Sequence, residues 1–227
     1  MTVVRTASAK SKPPAAGGGP AVRRRRPANA RQDRSSARRE AILAAALEEF
    51  SSQGFAATRL DDVAKRAGVA KGTIYLHFRD KESLFQELIR TMLTPLVGSI
   101  EALRDADIPM RALADQIVEL FVREVFLTRR KDVIRLMISE GRRFPKLAEF
   151  YYREVLERIM GALRVLLQRA AARGEVPAAI AQFPQIVVAP GLVAILWSGL
   201  FDRFEPIDVR AMMKAHVDLL FSPRSAA

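Results

Sequence analysis

Two very short helical patterns, joined by only three residues, constrain the fold of this chain more than any other feature. The first, "TRLDDVAKRAG", has the spacing of a capping box from Thr58 to Asp61 and ends at Gly68. The second, "KGTIYLHF", begins near Ala70 and carries a glycine, two β-branched residues and two aromatic rings, which favour strand over helix. Two helices of this length linked by "GVA" have the proportions of a helix-turn-helix.

The unusual composition of the second pattern is explained if this helix is selected for contacts. In a helix-turn-helix the second helix enters the DNA major groove. Lys71 would supply charge, and Gly72 would let the backbone approach a phosphate closely. Thr73 offers a hydroxyl or a methyl to a base edge, while Tyr75 and His77 offer ring donors to phosphates. The alternative is that these side chains form an ordinary solvated helix face.

The pattern on both sides of this motif is helical. A preceding helix is predicted to begin at Ser35 or Ser36, which suit an N-cap, and to stop at Gly54. Asp80 is predicted to cap a longer helix that Pro95 should kink, because proline lacks an N–H and its ring clashes with the preceding turn.

The second half of the chain also lacks strand signals. Helices are predicted over residues 109–127, 131–139, 145–174 and 208–221, with Pro184 and Pro190 breaking the segment between the last two. There is no Asn-Gly or Asp-Gly turn and no sustained alternation of apolar and polar residues. The predicted fold class is therefore all-α, with an N-terminal three-helix helix-turn-helix domain followed by a larger helical domain.

The net charge of +12 is concentrated at the N-terminus, where residues 1–34 carry nine Lys and Arg against one Asp. This segment has too few apolar residues to offset the entropy of ordering, so it is predicted to be a disordered basic arm. Such an arm can be a solvating tail, or it can bind phosphates or the minor groove of DNA.

The chain has no Cys, which excludes disulfides and thiolate metal sites and fits the reducing cytoplasm. Its only two histidines, His77 and His216, are far apart in sequence, so neither a metal site nor a cofactor is expected. The longest apolar run, residues 186–201, is shorter than the ~20 residues that span a bilayer, and it is predicted to be a buried helix.

The segment "GFAATRLDDVAKRAGVAKGTIYLHFRDKESLF", residues 54–85, resembles the DNA-binding domain of the TetR family of bacterial transcriptional regulators. The resemblance implies a homodimer with a DNA-binding domain at residues 35–80 and a ligand-binding and dimerisation domain at residues 81–227. Residues 135–155 are loosely similar to the AefR-like branch of these regulators.

Carried over by position, the resemblance assigns DNA contacts to Thr58, Lys71, Gly72, Thr73, Tyr75, His77 and Lys81. Of these, Thr58 and Lys81 would hold phosphates at the starts of the second and fourth helices. Relatives often carry Ser where this chain has Ala70, so this chain lacks an N-cap bond that is worth about 1 kcal/mol.

Two further sets of residues are candidates for the roles that the resemblance implies for the C-terminal domain. The larger aromatic and sulfur side chains could line a ligand cavity or simply fill the core: Phe121, Phe126, Met137, Phe150, Tyr151 and Trp197. The last two helices, which the family uses for dimerisation, carry the interface candidates: Leu196, Leu200, Met212, Met213, His216 and Leu219.

The leading hypothesis is a ligand-responsive repressor that binds a palindromic DNA operator as a dimer and is released by a small apolar or aromatic effector. The alternative is a constitutive DNA-architectural protein without an effector. An enzyme is not predicted, because the chain has no Gly-rich phosphate loop and no paired-carboxylate or Ser-His-Asp pattern. In the repressor hypothesis, the helix from Lys81 transmits the signal through its kink at Pro95.

Overall fold

The structure, a computed structural model, describes the backbone of residues 28–106 and 108–221 and the side chains from residue 34 onward. All regular structure in these residues is helical, so the all-α prediction is confirmed. Two π-helical turns, Val122–Phe126 and Tyr152–Leu156, each follow an α-helix without a gap. The helices are α1 (Ala28–Ala57), α2 (Leu60–Arg66), α3 (Lys71–His77), α4 (Lys81–Leu103), α5 (Met110–Phe121), α6 (Arg130–Glu140), α7 (Pro145–Tyr151), α8 (Glu157–Ala172), α9 (Ala178–Gln182), α10 (Gln185–Leu200) and α11 (Val209–Phe221).

Helix α1 begins at Ala28, so the predicted start at Ser35 or Ser36 is wrong. The residues between the two positions include alanine, arginine and glutamine, which favour helix, and none of them interrupts it. The rest of the predicted basic arm, residues 1–27, lies outside the described residues. The predicted stop is confirmed, because the backbone leaves the helical conformation at Gly54 with φ 78°.

The two short helices form as predicted, and a glycine turn separates them. Helix α2 ends in a Schellman motif: Gly68 has φ 65°, its N–H donates to the Lys65 carbonyl, and the Val69 N–H donates to the Ala64 carbonyl. Helix α3 begins directly after Ala70, whose side chain makes no cap hydrogen bond.

A buried carboxylate attaches α2 to α1. Glu49 is 4% exposed, and it accepts hydrogen bonds from Arg66 Nε at 2.6 Å and from Gln53 Nε2 at 2.7 Å. Ile74 and Phe78 anchor α3 in the same core, since they are 0% and 4% exposed. The orientation of α3 is therefore determined by two inward side chains and by the helix before it.

Helix α4 starts with the predicted cap and continues unbroken through Pro95. The Asp80 carboxylate accepts the Ser83 N–H at 2.7 Å, and Ser83 Oγ accepts the Asp80 N–H at 3.2 Å. Leu84 and Val97, on opposite sides of the proline, belong to one continuous buried cluster. The two halves of α4 therefore share one core.

Helix α10 also continues through a proline, so the predicted break at Pro190 is wrong. A proline in a helix leaves the carbonyl four residues earlier without its usual donor. That carbonyl belongs to Ile186, and His216 Nε2 of α11 lies 3.1 Å from it. A hydrogen bond from the neighbouring helix therefore replaces the one that Pro190 removes.

We expect Asp80→Ala to lower the free energy of unfolding by about 1 kcal/mol, because the first turn of α4 loses its cap. Asp80→Asn should recover most of this loss, since the asparagine oxygen can accept the same N–H. Chemical denaturation measures both variants, with Asp105→Ala as the control for removing a surface carboxylate that is 80% exposed. Equal losses for Asp80→Ala and Asp105→Ala would contradict a capping role.

Candidate DNA-binding surface and apolar cavity

One face of α3 is exposed and carries the predicted contact residues. Lys71, Gly72, Tyr75 and His77 are exposed, and Thr73 is half-buried. The opposite face is held in the core by the two anchors described above, so the exposed side chains project from a fixed helix. The structure therefore brings together on α3 five of the seven residues that the sequence assigned to DNA contact.

Lys71 is engaged in an ion pair within the helix-turn-helix. Its Nζ lies 2.6 Å from Asp61 Oδ2 of α2, and this hydrogen bond raises the pKa of the lysine. Both side chains are largely exposed, and exposed pairs of this kind contribute little to stability. The lysine can therefore exchange Asp61 for a phosphate at small cost.

Gly72 is not required by the packing of the protein. Its φ is not positive, and a Cβ added at this position would have no heavy atom within 4 Å. A glycine that the fold itself does not need is consistent with an external surface that approaches the α3 backbone closely.

Leu76 is a residue of this face that the sequence analysis missed. Leu76 is 85% exposed, which is the highest value among the exposed large apolar residues of the described chain. It lies four residues after Gly72 and three after Thr73, so it shares their face of α3. The sequence feature that could have identified Leu76 is an apolar residue on α3 that is not one of the two anchors, Ile74 and Phe78.

An apolar cavity of about 180 Å³ lies in the C-terminal part of the chain, between α4, α5, α7, α8 and α10. Its lining residues are apolar, apart from one tyrosine, Tyr151. Leu93, Leu96 and Ile100 form the wall that α4 contributes. Helix α4 therefore touches the cavity near one end and begins beside α3 at the other.

Three of the helices around this cavity are irregular where they meet it. Phe121 and Val125 line the cavity at the first π-helical turn, and Tyr151 and Val155 line it at the second. On α10, a Cβ at Gly191 would lie 3.1 Å from the Phe121 ring, so any other residue would require that ring to shift by a few tenths of an ångström. Such π-helical turns occur frequently at functional sites.

The sequence patterns of two families match most of the described chain. The pattern described as "Bacterial regulatory proteins, tetR family" matches residues 42–88, which contain the helix-turn-helix. The pattern described as "Tetracyclin repressor-like, C-terminal domain" matches residues 109–220, which surround the apolar cavity. The chain belongs to the TetR family of transcriptional regulators. Members of this family are regulators and not enzymes.

Similar proteins agree with this assignment. The HTH-type transcriptional regulator RutR of Escherichia coli (strain K12) is 29% identical over 144 residues, which span 60% of this chain and 60% of RutR. Two solved structures share the fold. The transcriptional regulator FadR from Bacillus subtilis in complex with stearoyl-CoA has a TM-score of 0.67 at 20% identity, covering 81% of this chain and 97% of FadR. The complex of SmeT, a repressor from Stenotrophomonas maltophilia, with triclosan has a TM-score of 0.66 at 21% identity, covering 81% and 90%.

The sequence predicts that Thr58 caps α2 and holds a DNA phosphate, but the structure places its side chain elsewhere. It is 2% exposed, and its hydroxyl donates to the Gly54 carbonyl at 2.8 Å. The residue before α2 is Arg59, so Thr58 does not cap that helix. Its hydroxyl closes the turn between α1 and α2, and a buried hydroxyl used in this way does not face a DNA phosphate.

Lys81 is likewise used inside the protein. Its Nζ donates to the carbonyls of Phe55 at 2.8 Å, Ala56 at 2.6 Å and Thr58 at 3.3 Å. It also lies 4.9 Å from the centre of the Phe55 ring. All three ammonium donors are therefore occupied, and the position predicted for phosphate binding instead holds the end of α1 against the start of α4.

Two of the six predicted pocket residues, Phe121 and Tyr151, line the apolar cavity. The structure places the other four elsewhere. Phe126 lies under Lys131, Phe150 lies under Arg90, and Met137 is buried in the core. Trp197 donates from Nε1 to the Glu205 carbonyl at 2.7 Å and packs edge-on against Phe201. Size and aromaticity could not separate cavity from core because both use the same side chains.

The predicted interface residues fall into two groups. Leu196, Leu200 and Leu219 are exposed, at 38%, 63% and 76%. Met213 is buried at 5% exposure and lines the cavity, so its prediction as an interface residue is wrong. Met212 is half-buried against the core, and His216 is half-buried against the Ile186 carbonyl.

Within the described residues, no helix has both the length and the apolar character needed to cross a bilayer. Helix α10, which contains most of the apolar run at residues 186–201, has both buried and exposed positions. Gly191, Ala194 and Ile195 are buried, whereas Val193 and Leu200 are exposed. The prediction of a buried helix is thus confirmed for one face of α10 only.

We expect Lys81→Ala to lower the free energy of unfolding by about 1–2 kcal/mol, because three carbonyls lose a charged donor. Lys65→Ala removes an exposed lysine from α2 and is the matched control, with little expected effect. Chemical denaturation of both variants measures the difference. A Lys81→Ala protein of unchanged stability and weakened DNA binding would restore the phosphate role.

Proposed function

We propose that this TetR-family chain is a ligand-responsive, sequence-specific repressor. It binds a palindromic DNA operator as a homodimer and is released by a small apolar or aromatic effector. The observation that carries this proposal is the apolar cavity against α4, because the same helix begins directly after the helix-turn-helix. A ligand in the cavity therefore contacts the element that leads to the DNA-binding surface.

Helix α3 is the proposed recognition helix. Lys71, Tyr75 and His77 would bind phosphates, and Thr73 would contact a base edge. Gly72 would allow the backbone to approach the DNA. We add Leu76 to this set, because an exposed leucine on the same face can pack on a thymine methyl group.

The proposed dimer uses α10 and α11. These helices and the segment between them carry a concentration of exposed apolar side chains: Leu192, Val193, Leu196, Leu200, Phe201, Phe204 and Leu219. Contiguous exposed apolar surface of this kind marks protein–protein contact. A homodimer with twofold symmetry presents two copies of α3, which explains why we expect a palindromic operator.

The coupling between ligand and DNA is proposed to pass along α4. Arg130 Nε of α6 donates to the Met92 carbonyl at 2.7 Å, close to the cavity wall formed by Leu93 and Leu96. Toward its start, α4 is held to the end of α1 by Lys81 and by Phe85. A ligand that prefers a different position of α4 would change the distance between the two recognition helices and so weaken DNA binding.

The lining of the cavity supports an apolar effector. SmeT has been solved with triclosan and FadR with stearoyl-CoA, so both of these proteins with the same fold take ligands that carry apolar groups. The cavity also favours the repressor over the alternative of a constitutive architectural protein, which would have no use for it. The domain limits at residues 35–80 and 81–227 and a cytoplasmic location are part of this proposal.

The direct test is to sequence the genomic DNA fragments that the purified protein retains and then to titrate apolar compounds against the retained operator. A repressor shows strong preference for a few palindromic sites and loses them when a compound binds. Similar affinity for unrelated fragments at moderate salt, together with no response to any compound, would favour the architectural alternative.

We expect His77→Ala to weaken binding to operator and to unrelated DNA by the same factor, because a phosphate contact carries no sequence information. The slope of log affinity against log salt should also flatten, by up to about 0.9 for the one phosphate contact that is lost. Salt titrations measure this, with Lys146→Ala on α7 as the control for losing one exposed positive charge. A changed base preference at unchanged slope would instead assign His77 to base reading.

We expect Leu200→Glu to yield a monomer in light scattering and to lower operator affinity by more than about tenfold, because a charge would be buried in the dimer. Leu127→Glu is the matched control, since Leu127 is 69% exposed and belongs to neither α10 nor α11. Dimers that persist in Leu200→Glu would move the interface to another surface.

A further inference from the structure

The chemistry of the cavity is more specific than its apolar character alone. At about 180 Å³ it is somewhat larger than the engineered cavity of ~150 Å³ that takes up benzene in another protein. No charged side chain of the described chain lines it. Tyr151 is the one lining residue with a polar side chain. The space therefore fits a molecule built around one aromatic ring, with one position where a hydrogen bond can form.

The Tyr151 hydroxyl has no partner in the described part of the protein. None of the side-chain hydrogen bonds among these residues involves it. Burial raises the pKa of Tyr151 to about 12, and desolvation is the cause. The hydroxyl therefore stays protonated at neutral pH and offers one donor to whatever fills the cavity.

Nothing in the lining can compensate a negative charge. A carboxylate that enters an apolar site loses its hydration, and it needs a cation or several donors to replace that hydration. Two arginines near this region are paired elsewhere: Arg130 binds Glu124 and the Met92 carbonyl, and Arg158 binds Glu101. The lone tyrosine hydroxyl is a single neutral donor, which is too little for an anion.

We infer that the cavity selects uncharged apolar ligands that carry one hydrogen-bond acceptor, such as an aryl ketone or ether, and that Tyr151 is the specificity-determining residue that binds this acceptor. Carboxylates of the same shape are excluded. This inference rests on the proposed function only in assuming that the cavity is a ligand site. It deepens that proposal by stating the charge and the polar group of the effector.

Three probes of nearly identical shape test the inference by calorimetry on the full-length protein without DNA. Acetophenone carries a neutral acceptor, α-methylstyrene replaces its carbonyl oxygen by a carbon, and benzoate replaces its acetyl group by a carboxylate. Acetophenone is expected to bind about fivefold more tightly than α-methylstyrene, which is the effect of one net hydrogen bond of about 1 kcal/mol. Benzoate is expected not to bind.

Tyr151→Phe keeps the ring and removes only the donor. In this variant the preference for acetophenone should be lost or reversed, because its carbonyl would be buried without a donor. The affinity for α-methylstyrene should match that of the wild type, which also shows that the cavity is intact. Tyr152→Phe is the matched control, because Tyr152 is the next residue, is 51% exposed and does not line the cavity. It should retain the fivefold preference.

Three outcomes would overturn the inference. Benzoate that binds as tightly as acetophenone would show that the site accepts charge. A preference for acetophenone that survives Tyr151→Phe would show that another group binds the acceptor. Failure of both neutral probes to bind would show that the cavity does not admit such ligands. Calorimetry without DNA tests the ligand chemistry separately from the proposed repressor function. A probe that binds as expected in calorimetry but does not release the operator in a DNA-binding assay would count against the proposed repressor and leave the inferred ligand chemistry intact.

Discussion

The Phe55 side chain connects the DNA-binding helices to the rest of the protein, and the arrangement of both depends on it. Phe55 is 1% exposed, and its ring lies within 4.6–5.5 Å of the rings of Phe50, Phe85 and Phe144, measured between centroids. These partners come from α1, from α4 and from the segment between α6 and α7. Lys81 closes the cluster by lying over the Phe55 ring and donating to the Phe55 carbonyl. Because one ring touches three elements, a shift of α4 or of the segment before α7 would displace the end of α1, which directly precedes α2 and α3.

The backbone around this core departs from regular helix at several places, and a side chain from another element compensates at two of them. Gly54 breaks α1, and the Thr58 hydroxyl donates to its carbonyl. Pro190 frees the Ile186 carbonyl, and His216 binds it. Both contacts supply a donor to a carbonyl beside the irregularity, which helps the irregular helices to persist. The irregular segments of α10 and of the two π-helical turns are where the cavity lies, because helices that are not uniform do not close completely on one another.

The DNA-binding surface and the cavity use opposite chemistry. The exposed face of α3 is mostly polar and carries a lysine, two hydroxyls, an imidazole and one exposed leucine, whereas the cavity lining has no charged side chain and one tyrosine. Helix α4 is the element that both approach, and its buried residues belong to one core with α1 and α6. A continuous core of this kind transmits displacement between packed helices more directly than two domains joined by a flexible linker would. This is the physical basis for proposing that ligand and DNA compete through α4.

The sequence by itself determined the all-α class, the helix-turn-helix and the Asp80 cap. These features depend on local backbone preferences and on apolar periodicity, which are properties of neighbouring residues in the chain. Only the tertiary structure decided the roles of Thr58, Lys81, Met213 and His216. Each of these side chains contacts a group that lies across a turn or on another helix, which local sequence patterns do not reveal. It also decided that Pro190 does not break α10, since the compensating donor comes from α11. The division between cavity and core has the same origin: Phe121 and Phe126 are chemically identical, and only the positions of the surrounding helices decide which of them faces empty space.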